Sequence, residues 1–109
     1  MNIIKQFSKK LTAIEYPKGK TSWDIGGIIK GQNAFYKFDV KNMIKLDDGT
    51  PAQKGRTNND ADKIVFDFKN KYIIIDVKEL HQYLRRNKTK IVHLSDLLSK
   101  LEWNIILPK

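Results

Sequence analysis

Two β-rich runs joined by a short turn constrain this chain more than any other feature. The first run starts at Asp24, the second ends at Asp39 and Lys41, and the turn signal Lys-Gly-Gln-Asn occupies residues 30–33. Fourteen residues separate Asp24 from Asp39. A hairpin of this length brings its two ends together, so the sequence predicts that two carboxylates and one lysine meet at one edge of a sheet.

This predicted group of side chains suits a hard divalent cation. Carboxylate oxygens bind Mg²⁺ or Mn²⁺ while the ion keeps several waters. Asp24 and Asp39 are therefore the predicted metal ligands and catalytic acids, and Lys41 is predicted to orient or help deprotonate a water that attacks phosphorus. The chain has no cysteine and only two histidines, which disfavours thiolate and nitrogen-ligand metal sites.

The charge balance favours a polyanionic partner. Lysine and arginine number 21 against 12 acids, a formal net charge of +9, and nucleic acid is the first candidate. A lysine-rich, solvated surface without such a partner is the alternative. At 109 residues and 40% apolar composition, the chain is expected to form one globular domain, 1–109. No apolar run is long enough for a membrane segment, and no secretory signal follows Met1.

A polar, basic stretch at 52–60 follows the hairpin. A long polar loop in a compact domain is often functional, and this one is predicted to bind nucleic-acid phosphates through Lys54, Arg56, Asn58 and Asn59. A solvated loop is the alternative for these residues. Asp60 is a candidate third acid, although turn chemistry explains it equally well. Trp23 and Tyr36 are candidates for base stacking, but packing is favoured for both.

The remaining patterns predict an α/β or α+β protein with helices on the faces of a sheet. Apolar residues at helical spacing predict a helix over 2–13, and β-rich runs occupy 63–68 and 72–75. Asp76 fits the N-cap of a helix that follows, and residues 103–107 are predicted to form a final strand.

A second Asp-x-Lys pattern competes with the first. Asp62, Asp76 and Lys78 nearly repeat the spacing of the hairpin residues. Asp76 has a structural explanation as an N-cap, because Glu79 follows three residues later as in a capping box. Asp39 has no such alternative, so the hairpin set is the preferred site.

The chain from Gly19 onward resembles the PD-(D/E)xK nuclease superfamily. More narrowly, it resembles the C-terminal nuclease toxin domains of contact-dependent growth inhibition proteins and related polymorphic toxins. The resemblance is carried by Trp23-Asp24-Ile25-Gly26, Gly31, Phe38-Asp39-Val40-Lys41 and Asp60-Ala61-Asp62-Lys63-Ile64-Val65. The chain differs in having Trp23 in place of a proline and Asp60 in place of a glutamine. The predicted helix 2–13 lacks the glutamate that the superfamily often supplies, which leaves Glu15 as the nearby candidate.

The resemblance implies a restriction-endonuclease-like central mixed sheet flanked by helices. It implies a metal-dependent endonuclease that hydrolyses phosphodiesters in RNA, with tRNA as one candidate, or in DNA. Such a toxin domain would act in the cytoplasm, could be delivered as the C-terminal part of a larger secreted protein, and would have an acidic immunity protein as partner. Two other functions stay open: a non-catalytic basic nucleic-acid-binding module, and an inhibitor that binds an acidic protein.

Overall fold

The fold is built on one large mixed sheet. The computed structural model describes residues 3–19, 21–42, 51–53, 60–87, 91–93 and 98–109. The strands are β1 (Leu11–Glu15), β2 (Ile25–Ile29), β3 (Phe35–Asn42), β4 (Pro51–Gln53), β5 (Lys63–Asp67), β6 (Lys71–Asp76), β7 (Ile91–His93) and β8 (Asn104–Pro108). Six of them form the sheet in the order β1-β2-β3-β5-β6-β8, and β4 pairs with β7 in a separate two-stranded sheet. Strands β3 and β5 are parallel, whereas all other neighbours in both sheets are antiparallel.

Two helices cover opposite faces of the large sheet. Helix α1 (Ile3–Ser8) packs Phe7 against a cluster that includes Phe38 and Val65, and helix α2 (Val77–Asn87) packs on the other face against Ile64 and its neighbours. Successive residues of a strand point to opposite faces, which is why adjacent residues of β5 belong to different clusters. The predicted fold class, a mixed sheet with helices on its faces, is confirmed.

The predicted helix over 2–13 is wrong in its second half. Helix α1 ends at Ser8, and Leu11–Glu15 instead forms β1, in which Leu11 pairs with Ile29 of β2. Ala13 has a positive φ of 53°, and the register of β1 against β2 shifts between Thr12 and Glu15. This irregularity allows apolar residues at helical spacing to lie on a strand, where pairing with β2 overrides local propensity.

The predicted start of α2 is confirmed. The backbone N–H of Glu79 donates to Asp76 Oδ2 at 3.0 Å, so Asp76 is the N-cap. The capping box is only half formed, because the Glu79 carboxylate accepts a hydrogen bond from the Trp103 backbone N–H at 3.0 Å. Glu79 therefore ties α2 to the residue that precedes β8.

Candidate functional site

Asp24 lies at the end of the β2–β3 ladder. Ile25, the first residue of β2, pairs with Phe38, and the Asp24 N–H donates to the Phe38 carbonyl at 2.8 Å, which holds Asp24 against the end of β3. Phe38 is fully buried on the α1 face. Because side chains alternate along a strand, Asp39 and Lys41 point to the opposite face, beside Asp24.

Three side chains of the preferred set are brought together at this end of the hairpin. The carboxyl groups of Asp24 and Asp39 (the acid pair) lie within hydrogen-bond reach of each other. Asp24 Oδ2 also accepts a hydrogen bond from the Val40 N–H at 2.8 Å, and Lys41 Nζ lies 3.2 Å from Asp39 Oδ2. Asp39 is 8% exposed, whereas the Lys41 side chain is 49% exposed. The group therefore combines a constrained acid pair with an ammonium that solvent and ligands can reach.

The surroundings of Asp24 favour its neutral form or the binding of a cation. Burial raises the pKa of Asp24 above its ordinary value, and the charge and hydrogen bond of Asp39 raise it further. The hydrogen bond from the Val40 N–H and the positive charge of Lys41 act in the opposite direction but do not cancel the increase. A divalent cation would offset the repulsion that the Asp39 charge exerts on the Asp24 carboxylate.

Asp24→Asn is expected to stabilise the metal-free protein slightly at pH 7. The raised pKa of Asp24 means that folding favours its neutral form, so stability is lost as pH rises through the ordinary aspartate pKa of about 4 and above. Asparagine keeps an acceptor for the Val40 N–H and removes the charge. We expect a gain below about 1 kcal/mol because the site is partly solvated.

Urea denaturation in EDTA at pH 7 and at pH 4 measures this effect. The gain should shrink at the lower pH, and Asp60→Asn, at an exposed position, is the matched control. A loss of stability at pH 7, or a difference that does not change with pH, would contradict the prediction.

The donor atoms of the acid pair fit Mg²⁺ or Mn²⁺. Carboxylate oxygens are the ligands these ions prefer, and Mg²⁺ is often bound by one or two carboxylates together with waters and substrate phosphates. Among the residues that the structure describes, no group of three or more His, Cys, Asp or Glu side chains could hold a metal. A cation here would therefore rest on the acid pair and complete its coordination with water or phosphate.

The structure does not bring Glu15 or Asp60 into a three-acid group with this pair. Glu15 is exposed in β1 and pairs with Gly26, so it lies on the same face but one strand away from Asp24. Asp60 is exposed, and its backbone N–H donates to Ser22 Oγ. The contact with Ser22 places the Asp60 backbone at the connection that precedes β2.

The predicted phosphate-binding residues Lys54, Arg56, Asn58 and Asn59 lie outside the described residues. Their role in binding nucleic acid stays a prediction.

The competing set is used by the fold. Asp62 Oδ2 accepts a hydrogen bond from the Lys37 N–H at 2.9 Å. Asp76 caps α2 and also forms an ion pair with Lys63 at 2.7 Å. Lys78 is exposed in the first turn of α2. These contacts give each acid a structural partner, which supports the choice of the hairpin set.

Lys63 itself is an unusual buried cation. It is 4% exposed, and its Nζ lies 3.6 Å from the centroid of the Trp103 ring and 4.4 Å from that of Tyr36. Two aromatic faces and the Asp76 carboxylate thus replace the water that an ammonium needs. Tyr36 also packs edge-on against Phe38, on the face opposite the acid pair. Packing, which the sequence favoured for Tyr36, therefore fits the structure better than base stacking.

A second buried acid lies on this same opposite face. Asp67 of β5 is fully buried, and Lys109 Nζ lies 2.5 Å from its Oδ1. It is two residues from Val65, which packs in the α1 cluster. Asp67 therefore does not belong to the candidate site, and Lys109 compensates its charge.

Two residues near the acid pair were missed at the level of sequence, namely Phe35 and Lys37. Both precede Asp39 and Lys41 at alternate positions of β3, so all four share one face. The alternation of residues along the second run of the hairpin could have identified them, because every second residue of a strand lies on the same face. This alternation was obscured because aromatic residues also occur at positions 36 and 38, which face the core.

Comparison of the chain with protein-family models, curated proteins and solved structures finds no match. In the described segments, no helix has both the length and the apolar character needed to cross a membrane. The function is therefore inferred from the geometry of the site and from the charge of the chain.

Proposed function

We propose that this protein is a metal-dependent endonuclease of restriction-endonuclease-like fold. The observation that carries the proposal is the meeting of Asp24, Asp39 and Lys41 on one face, at the end of the β2–β3 hairpin. Two adjacent acids can hold a cation, and a reachable ammonium can orient water, for a metal-assisted attack on phosphorus. The mixed sheet and the helices on its faces are compatible with this assignment.

Each residue has a distinct role in the proposed reaction. Asp24 and Asp39 would hold the cation, and Val40 fixes the Asp24 carboxylate through its N–H. When bound, the cation would offset the negative charge that develops on the phosphate oxygens. The Lys41 ammonium would orient the attacking water. The water oxygen forms a bond to phosphorus and gives up one proton to solvent. The bond from phosphorus to the leaving oxygen breaks, and the leaving oxygen takes up one proton from solvent.

The net charge of +9 supports a nucleic-acid substrate, RNA or DNA, because phosphate neutralisation dominates such binding. A small basic nuclease of this kind fits the role of a toxin domain that acts in the cytoplasm and is delivered as the C-terminal part of a larger protein. An acidic immunity protein that covers the site would complete this proposal.

The test is cleavage of plasmid DNA and total RNA with Mg²⁺, with Mn²⁺ and with EDTA. We expect cleavage only with the metal ions, and a loss of at least 100-fold in Asp39→Asn, on the order seen when one electrostatic group of an active site is removed. Asp60→Asn is the control. Cleavage that persists in EDTA, or in Asp39→Asn, would contradict the proposal.

A binding measurement tests the same site without cleavage. Mg²⁺ should raise the melting temperature of the wild-type protein, because a ligand that binds only the folded state stabilises it. It should do so less for Asp39→Asn. An equal effect of Mg²⁺ on both proteins would remove the acid pair as the metal site.

A non-catalytic nucleic-acid-binding module is the second candidate. It is favoured by the high positive charge and by the finding of only two clustered acids among the described residues. Such a module would bind nucleic acid in EDTA, show no cleavage with any metal ion, and keep its affinity in Asp39→Ala.

A further inference from the structure

Two aromatic rings lie against the sheet beside the acid pair. An ideal Cβ on Gly26 would be 2.7 Å from Phe35 Cζ and 3.4 Å from Trp23 Cζ3. The absence of a side chain at Gly26 therefore allows the Phe35 ring to rest on the β2 backbone, and the Trp23 ring lies at van der Waals distance from the same position. We call Trp23 and Phe35, together with Gly26 beneath them, the aromatic shelf.

The aromatic shelf is partly open and carries positive charge. Phe35 is 39% exposed, and Lys37 Nζ lies 5.4 Å from the centroid of the Trp23 ring. Within the described residues, the cluster packed under α2 includes residues of β5 and β6 but none of β2 or β3. In this part of the chain, helix α2 therefore packs on the β5–β6 half of this face and not on strands β2 and β3.

The position of the shelf links it to the acid pair. Trp23 directly precedes Asp24, and Phe35 lies four residues before Asp39 on the same face of β3. Four residues of a strand span about 13 Å. A short stretch of nucleic-acid strand whose phosphate lies at the acid pair would therefore reach Phe35 with a neighbouring base.

We propose that the aromatic shelf binds an unpaired base next to the phosphate at the acid pair, so that the substrate is single-stranded. This proposal rests on the proposed function. Aromatic side chains bind bases through their flat faces, which neighbouring bases cover in a duplex. Lys37 and Lys41 flank Asp39 on the same face and supply charge complementary to the strand's phosphates.

Binding in EDTA tests the shelf without cleavage. The probes are labelled single-stranded RNA and DNA oligonucleotides, the same oligonucleotides with abasic positions, and a duplex of equal length. Phe35→Ala is expected to weaken binding of the single strands by about 5- to 150-fold, the usual effect of losing one stacking ring. It should change binding of the abasic strand and of the duplex by much less.

Ile106→Ala is the matched control, because Ile106 is a 51% exposed apolar residue in β8, at the opposite edge of the sheet from β1 and β2. Equal affinities of Phe35→Ala and Ile106→Ala for the single strands would overturn the proposal. An equal loss for abasic and duplex probes would also overturn it, because it would show a general loss of binding or of the fold instead of a loss of stacking. A larger effect on RNA than on DNA, or the reverse, would identify which strand the shelf prefers while supporting it.

Gly26→Ala separates the shelf from Phe35 alone. The added methyl must push the Phe35 ring off the β2 backbone but leaves every charged residue unchanged. We expect the same selective loss for single strands, with circular dichroism confirming the fold. Unchanged binding in Gly26→Ala would overturn the shelf as the binding element.

The two proposals fail separately. If Phe35-dependent binding of single strands is found but no metal ion supports cleavage, the nuclease assignment fails and the shelf stands. If metal-dependent cleavage is found and acts equally on single strands and duplexes in both wild type and Phe35→Ala, the shelf fails and the nuclease stands.

Discussion

Lys41→Met is expected to abolish metal-dependent cleavage while leaving the fold intact. Lys41 Nζ lies 3.2 Å from Asp39 Oδ2, and its side chain is 49% exposed, so it can hold a water against a phosphate at the acid pair. Methionine keeps much of the length and apolar stem of lysine but cannot donate a hydrogen bond. We expect the cleavage rate to fall by about 10²- to 10⁴-fold, the usual effect of removing a group that positions or transfers a proton.

The chain supplies its own control for this experiment. Lys78 follows Asp76 by two residues, as Lys41 follows Asp39, but it lies exposed on α2. Lys78→Met should cleave at the wild-type rate. Comparable losses in both variants would mean that general positive charge matters, and an active Lys41→Met would remove Lys41 from the mechanism.

Asp76→Ala is expected to give the largest loss of stability. The substitution leaves the Lys63 ammonium, 5% exposed in its side chain, without its carboxylate partner at 2.7 Å. Removing one partner of a buried ion pair costs about 3–5 kcal/mol, because the remaining charge stays away from water. The variant also loses the N-cap of α2, a further cost of about 1 kcal/mol.

Two further variants separate these contributions in urea denaturation at pH 7. Asp76→Ser keeps an acceptor for the Glu79 N–H and should recover only the capping part of the loss. Lys63→Met combined with Asp76→Ser removes both charges and should be more stable than Asp76→Ala, because no buried charge is left unpaired. A loss below about 1 kcal/mol in Asp76→Ala, the range of exposed pairs, would contradict the buried-pair interpretation.

Local signals predicted a large part of the fold. The turn at residues 30–33 and the β-rich runs on either side predicted the β2–β3 hairpin, and Asp76 predicted the start of α2. These elements depend on contacts between residues close in sequence. The segment Leu11–Glu15 was predicted wrongly because its pairing with β2 is a contact that its own residues do not encode.

The candidate site shows the same division. The turn and the alternation along β3 bring Asp39 and Lys41 to one face, and Asp24 directly precedes Ile25, which pairs with Phe38. The sequence could not show that Asp62 bonds to the Lys37 backbone, or that Phe35 and Trp23 meet over Gly26. Both depend on how β3 lies against β5 and on which side chain is small enough to leave room.

The amino-acid sequence by itself therefore determined the hairpin, the acids at its open end, the cap of α2 and the positive charge of the chain, because each is local or additive. Only the tertiary structure showed which contacts each Asp-x-Lys pattern makes and which aromatic residues lie near the acid pair. The parallel pairing of β3 with β5 joins segments more than twenty residues apart and brings Asp62 to the Lys37 backbone, whereas Asp76 forms its ion pair with Lys63 across the antiparallel β5–β6 pairing. Burial and long-range pairing, which no local pattern specifies, set these contacts.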